Sequence, residues 1–271
     1  MVICSHPLAT REAINVLKNG GNACDAGLCA AIVQTVIEPH MTGITGILSV
    51  LYYDAASGET SYVNAGWNTP SEPLGKVTMA DIKSGRALGV PGWWAGFEAA
   101  LERHGIKSKK EIMAPAIRYA RDGFELHPFL WGEIFVQSHR IGLSEMGREI
   151  FMPGNVVPRP GVVLYQKRAA DTLERLLEEG NEFYYRGDFA EALTRVVQKA
   201  GGVVTRQDME AYEADFNPAV RKKAKERGFR FDVVNPWNWH HGAFEGIHVD
   251  PASGTIHACG DPRRCSKAEG L

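Results

Sequence analysis

The chain has 271 residues, enough for one large domain or two small ones, and its 44% hydrophobic and 23% charged residues are the balance of a globular protein rather than a disordered or fibrous one. Thirty Lys and Arg against 32 Asp and Glu leave a net charge of −2, which supplies no field to attract nucleic acid or an anionic membrane. The odd count of five cysteines, with Cys24 and Cys29 inside a run of Ala, Gly and Ile, favours buried reduced thiols and a cytoplasmic, reducing compartment; the first residues contain no secretory pattern and no window reaches membrane-spanning length.

Residues 1–6 read as a short strand stopped by Pro7, and the spacing of Ala9, Ala13, Val16 and Leu17 predicts a helix to Lys18, closed by Gly20-Gly21. Asn22 can cap a second helix running to about Val36, and its small residues on several sides mark it as buried. After the loop from Pro39 to Gly46, two β-rich runs, Ile47–Tyr53 and Glu59–Ala65, flank an Asp54–Gly58 turn and predict a hairpin. A Gly-, Pro- and Asn-rich loop leads to a helix over Trp93–Gly105. Ser108 and Glu111 then form a capping box for a helix to Gly123, in which Pro115 predicts a kink or break. Helical patterns recur over 127–142 and 169–179, with further starts at Asp188 (with Glu191) and Thr205 (with Asp208). A charged stretch at 221–227 precedes three predicted strands: Phe229–Asn235, Phe244–Val249 and Thr255–Gly260. Strands at both ends around a helix-rich middle predict an α+β fold with the terminal strands sharing a sheet.

Side chains with chemistry are present without forming a complete catalytic set. His240, His241, His248, His257, Cys259 and Cys265 crowd the tail. If Val249 faces Thr255, however, His248 and His257 project from opposite sides of the hairpin, which argues against a metal site. Gly43-Ile44-Thr45-Gly46 and Gly89-Val90-Pro91-Gly92 lack the endings of a phosphate-binding loop, so the sequence points to no nucleotide or other cofactor. Cys4, Ser5 and His6 are adjacent, but alternation puts Cys4 and His6 on one face and Ser5 on the other, the pattern of a packed strand rather than a nucleophile and its base. No Gly-x-Ser-x-Gly elbow occurs. Trp93-Trp94 and Trp237-Asn238-Trp239 read as packing anchors.

Several ordered segments resemble the γ-glutamyltransferase (glutathione hydrolase) family. They are Ser5-His6-Pro7-Leu8-Ala9, Gly20 to Ala26, Glu38 to Ile44, Gly89 to Gly92, Ala114 to Ile117 with Ala120 to Phe124, Gly187-Asp188, and Gly201-Gly202 with Thr205, Asp208 and Tyr212. The resemblance covers residues 1 to about 220 and matches the family's large subunit. The tail is similar to the extreme C-terminus of the small subunit: Arg227-Gly228-Phe229, Val233-Val234, Asp250-Pro251, Gly254 and Gly260 to Arg264. The join falls near Val220–Lys222, and residues 221–271 are expected to complete the domain formed by 1–220.

The resemblance implies a partial αββα sandwich of the N-terminal-nucleophile hydrolase type, acting on γ-glutamyl amides such as glutathione. In that family a precursor cleaves itself ahead of a threonine, whose hydroxyl is the nucleophile and whose α-amine is the base. The segment carrying that threonine and the oxyanion donors has no counterpart here, so no catalytic residue is assigned and the chain is expected to be inactive alone. A complementing small-subunit chain, or a non-enzymatic binding module, are the alternatives. Exposed sheet edges would favour that partner, a homo-oligomer or an aggregation-prone monomer. The family also sets an arginine against the substrate carboxylate. The matching stretch, Asn64-Ala65-Gly66-Trp67-Asn68-Thr69-Pro70, has none, which leaves Asn64 and Asn68 as neutral substrate contacts and suggests another amide.

Overall fold

The computed structural model describes residues 1–214 and, beyond them, the backbone of three strands at 246–249, 256–259 and 267–269. The expected strand at Phe229–Asn235, the charged stretch 221–227, Trp237 to Trp239, His240, His241 and Cys265 lie outside the described residues. The chain divides into two units: residues 1–43, 105–177 and 241–271 form the first, and residues 44–104 and 178–240 the second.

In the first unit, strand β1 (Val2–Cys4) leads into α1 (Pro7–Lys18) and α2 (Ala23–Ile37). Pro7 at the first helical position presets the helical φ, and His6 caps α1 by accepting the Leu8 N–H on Nδ1. The α2 cap is a full capping box: Asn22 accepts from the Asp25 N–H while the Asp25 carboxylate accepts from the Asn22 N–H. Helix α2 is apolar on all sides and ten of its residues are buried, as its small-residue composition predicts. It packs between α1 and α5 (Lys109–Asp122). Ser108 and Glu111 cap α5 as expected, but Pro115 does not break it; the helix runs through with Pro115 buried in its inner face.

A two-residue pair, β4 (Phe124–Glu125) with β5 (Val163–Leu164), and the helices α6 (Pro128–Ile141), α7 (Glu145–Phe151) and α8 (Lys167–Glu179) follow. Strand β8 (Lys267–Glu269) pairs antiparallel with β1, so strands from the two ends of the chain do share a sheet. The remaining pair, β6 (Gly246–Val249) with β7 (Ile256–Cys259), differs from expectation by one residue: Val249 faces Ile256, and His248 stands directly opposite His257. The connection between them is one residue longer than a register read from Thr255 allows. A one-residue slip in an antiparallel pair reverses which faces coincide, so the opposite-face argument against the two histidines no longer holds.

The second unit starts with the predicted hairpin, β2 (Leu48–Tyr53) and β3 (Thr60–Ala65), in register Leu48 to Ala65 through Tyr53 to Thr60. Helix α4 (Trp93–His104) lies against both strands. Its Gly96 permits the approach, since a Cβ there would lie 2.6 Å from the Ala65 Cβ. Trp93, Trp94 and Phe97 are fully buried and stacked, as packing anchors should be. Three features add to the expected elements. Helix α3 (Met79–Ser84) has a Thr78–Asp81 capping box, residues 182–186 form a π-helical turn, and Gly187, not Asp188, occupies the cap position of α9 (Asp188–Lys199). Helix α10 (Arg206–Glu210) carries the expected Thr205–Asp208 box.

Candidate functional site

In the first unit Cys4 is buried in β1, while the Ser5 hydroxyl donates to Glu38 Oε2 at 2.7 Å and Gln34 Nε2 donates to both. His6 has one ring nitrogen engaged as a helix cap, and its ring meets that of His127, itself the cap of α6, edge-on at 5.3 Å. Burial, with the nearby His127, pushes His6 down to about 4, so it is a neutral structural imidazole. Burial likewise raises the Cys24 and Cys29 thiols to about 12, which keeps them protonated and unreactive. Cys4, Ser5 and His6 are therefore used in packing and capping, as alternation suggests.

The second unit gathers three segments: 44–47, the end of β3 with the loop after it at 64–71, and 89–92. Backbone bonds join the latter two, the Asn68 N–H donating to Val90 O at 3.0 Å and the Val90 N–H to Asn68 O at 2.9 Å. Gly92 N–H and Trp93 N–H both donate to Gly46 O, drawing in the first segment. Trp67 Nε1 donates to Thr45 O at 3.3 Å and leaves its indole 58% exposed. Asn64 is half-buried on β3 opposite Ser49, and Asn68 is exposed. The structure thus places both neutral candidates on one short segment beside an exposed indole.

Three buried tyrosines, none of them a candidate from the sequence, hold these segments. Tyr184 donates to Ile44 O at 2.5 Å, Tyr185 to Pro91 O at 3.0 Å, and Tyr212 to Gly66 O at 2.7 Å. Burial pushes the ionisation of all three to higher pH, Tyr212 up to about 12, so each hydroxyl stays a donor near neutral pH. Asp208 adds a fourth tie, accepting the Ser71 N–H at 2.8 Å. Its partial burial opposes ionisation, but hydrogen bonds from Thr205 and Ser71 outweigh that and bring it to about 2. No local pattern marks the role of the tyrosines. Only the π-helical turn that carries two of them is of a kind frequent at functional sites.

The segment carries no cation of its own. No Lys or Arg occurs between Lys18 and Lys76, so the stretch holding Asn64, Trp67 and Asn68 has no guanidinium or ammonium of its own to pair with a carboxylate. At the other end of the hairpin Ser61 Oγ lies 2.7 Å from His104 Nε2, whose ring stacks on Tyr52 at 4.3 Å. A hydroxyl beside an imidazole can become a nucleophile, yet Ser61 sits within β3 with its backbone paired to Tyr52, and the contact fastens α4 to the hairpin. Among the described residues no three potential metal ligands cluster.

The sequence profile of the gamma-glutamyltranspeptidase family matches residues 9–236. A glutathione hydrolase proenzyme of Bacillus subtilis (strain 168) is 30% identical over 230 residues, covering 81% of this chain and 39% of that protein. An acylase proenzyme (ACY 1) of Pseudomonas sp. (strain V22) is 28% identical over 264 residues, 92% of this chain and 46% of the acylase. Among solved structures the gamma-glutamyltranspeptidase of Helicobacter pylori superimposes with a TM-score of 0.72 at 27% identity, covering 78% of this chain and 63% of that one. The chain thus spans about two-fifths of the length of the first of these relatives.

Proposed function

The chain belongs to the gamma-glutamyltranspeptidase family, and from that membership we propose that it is a scaffold for amide-bond hydrolysis or acyl transfer that has no turnover on its own. The observation that carries the reading is the correspondence of residues 9–236 to the family, taken with the sequence-based expectation that none of the chain's threonines is its nucleophile. On this proposal the hydroxyl, its α-amine and the oxyanion donors, the strongest sources of transition-state stabilisation, are not supplied by these residues, whose part is binding.

A second reading is favoured by the β2–β3 hairpin. Its outer face carries Leu51, 72% exposed, Tyr53, 61% exposed, and Tyr62 across from Leu51. An apolar sheet face of this kind supports docking of a separate chain that brings the nucleophile. Under either reading the segment 64–70 contacts the acyl part of the substrate through Asn64, Trp67 and Asn68. The lack of a cation there supports an amide other than a γ-glutamyl one, in keeping with the acylase among the relatives. The buried thiols support a reducing, cytoplasmic location within the same proposal.

The test is turnover of two chromogenic amides, one γ-glutamyl and one with a neutral aromatic acyl group, by the purified chain with and without a co-expressed nucleophile-bearing chain. The expected results are no turnover alone, turnover of the neutral amide in the pair, and an intact mass free of self-cleavage. Hydrolysis by the chain alone would overturn the first reading. An inactive and unassociated mixture would overturn the second.

A further inference from the structure

Tyr212 follows α10, and its ring packs parallel to that of Tyr185, with centroids 5.4 Å apart and planes 6° from parallel. A phenylalanine would satisfy that stacking, so the hydroxyl needs its own account. It donates to the carbonyl of Gly66, one residue before the exposed Trp67, from a side chain that is 8% exposed. The path is kept open by a glycine: a Cβ at Gly92 would lie 2.0 Å from Tyr212 Oη and 2.5 Å from the carbonyl oxygens of Ala65 and Gly66. The hydroxyl, the Gly66 carbonyl and the bare Gly92 backbone therefore occupy one tightly filled space.

We infer that Tyr212 is a positioning residue for the segment Asn64–Asn68, its hydroxyl fixing the Gly66 peptide so that Trp67 and Asn68 are presented in one orientation. The segment is held at several independent points. Tyr212 holds Gly66, the Val90 backbone holds Asn68, and Thr45 O holds the Trp67 indole. Helix α10 grips a further point through Asp208 and the Ser71 N–H. Tyr212 is itself fixed, its N–H donating to Met209 O within the turn that ends α10. A peptide carbonyl satisfied by a buried donor loses its freedom to rotate, and rotation of the Gly66–Trp67 peptide is the motion that would swing both exposed side chains. The role in ligand recognition rests on the proposal that this segment meets the acyl group; the restraint on the loop does not.

The experiment is Tyr212→Phe in the full chain, which keeps the stacked ring and removes one hydroxyl. Amide hydrogen exchange is followed at 66–68 and Val90, with 5-fluorotryptophan NMR, the Trp67 resonance being identified by Trp67→Phe. Exchange at Asn68 and Val90 is expected to quicken about tenfold, the scale of one lost hydrogen bond, and the Trp67 resonance to move while those of Trp93 and Trp94 stay. Thr194→Ala, which removes a hydroxyl bonded within α9, is the structural control and should leave both signals in place. Unchanged exchange and an unmoved Trp67 resonance in Tyr212→Phe would overturn the inference. So would a uniform acceleration across α4 and α9, the signature of a merely structural loss. Neither readout needs turnover, so failure here leaves the amide-chemistry reading standing, and an inactive protein leaves this inference standing.

Discussion

The two units bury their polar groups in different chemical forms. In the first they are chiefly carboxylates, an amide and an imidazole, with the Thr10 hydroxyl and the Tyr119 phenol beside them. Glu12 Oε1 accepts from Tyr119 and Arg118, and Asp25 accepts from the N–H groups of Asn22, Ile106 and Lys107. Glu38 gathers Ser5 and Gln34, while Gln166 donates to Val36 O. In the second, besides the Thr194 hydroxyl bonded within α9, three phenols each donate one hydrogen to one loop carbonyl. A carboxylate can collect several donors at once and so ties helix ends together. A phenol has a single proton to give and so pins one irregular peptide at a time. The first arrangement builds a rigid helical layer, and the second makes a precise loop cluster out of chain with no regular structure of its own.

Four changes would break or sharpen that contrast. Trp94→Ala empties the fully buried centre of the second unit and is expected to cost about 3–5 kcal/mol in a denaturant titration. Peptides from 44–104 should lose exchange protection before those of α1, α2 and α5; simultaneous loss would mean that the two regions unfold as one.

Acid should act on the first unit. His6 sits at about 4 when folded against an ordinary 6.5, so the unfolded chain takes up the proton first. Stability is then full above pH 6.5 and declines as the pH falls towards 4, by roughly 3 kcal/mol at the limit. The ring of His127, edge-on to that of His6, adds to the downward push. His6→Asn keeps a capping residue without the titration, and its denaturation midpoint should fall less steeply between pH 6.5 and 4.5. Equal slopes for the two proteins would remove His6 as the cause.

Gly92→Ala forces a methyl into the space of the Tyr212 hydroxyl and should destabilise by about 1–3 kcal/mol. Combined with Tyr212→Phe, the loss should be less than additive, because the hydroxyl is one of the clashing atoms. Tyr184→Phe, the smallest change, should cost about 1 kcal/mol by unpairing Ile44 O, with no pH dependence between 5 and 9, since burial holds that phenol protonated. A pH-dependent difference there would contradict the neutral-donor picture.

Much of the fold is legible from local pattern. The capping boxes at Asn22, Ser108 and Thr205, the hairpin around Asp54–Gly58 and the buried small-residue helix all rest on groups within a few residues of one another. Thr78–Asp81 carries the same signal, but its helix is too short to show a periodic apolar face. Pro115 leaves α5 unbroken because the packing of α5 against α2 outweighs one lost backbone bond. The β6–β7 register turns on a single residue of loop length, which pattern alone does not fix. Asn64 and Asn68 stand out as candidates through the family resemblance. Trp67 between them and the tyrosines behind them do not, because nothing nearby in the sequence gives them a role.

What the amino-acid order alone determined is most of the longer helices, the β2–β3 hairpin, the caps at Asn22, Ser108 and Thr205, the α+β class and the family. Each of these depends on neighbours in the chain or on residue types at fixed spacing. Tertiary structure decided which carbonyl each tyrosine holds. Tyr212 and Gly66 are 146 residues apart, Tyr184 and Ile44 are 140 apart, and a hydroxyl of fixed reach can be aimed only once the backbone around it has been packed.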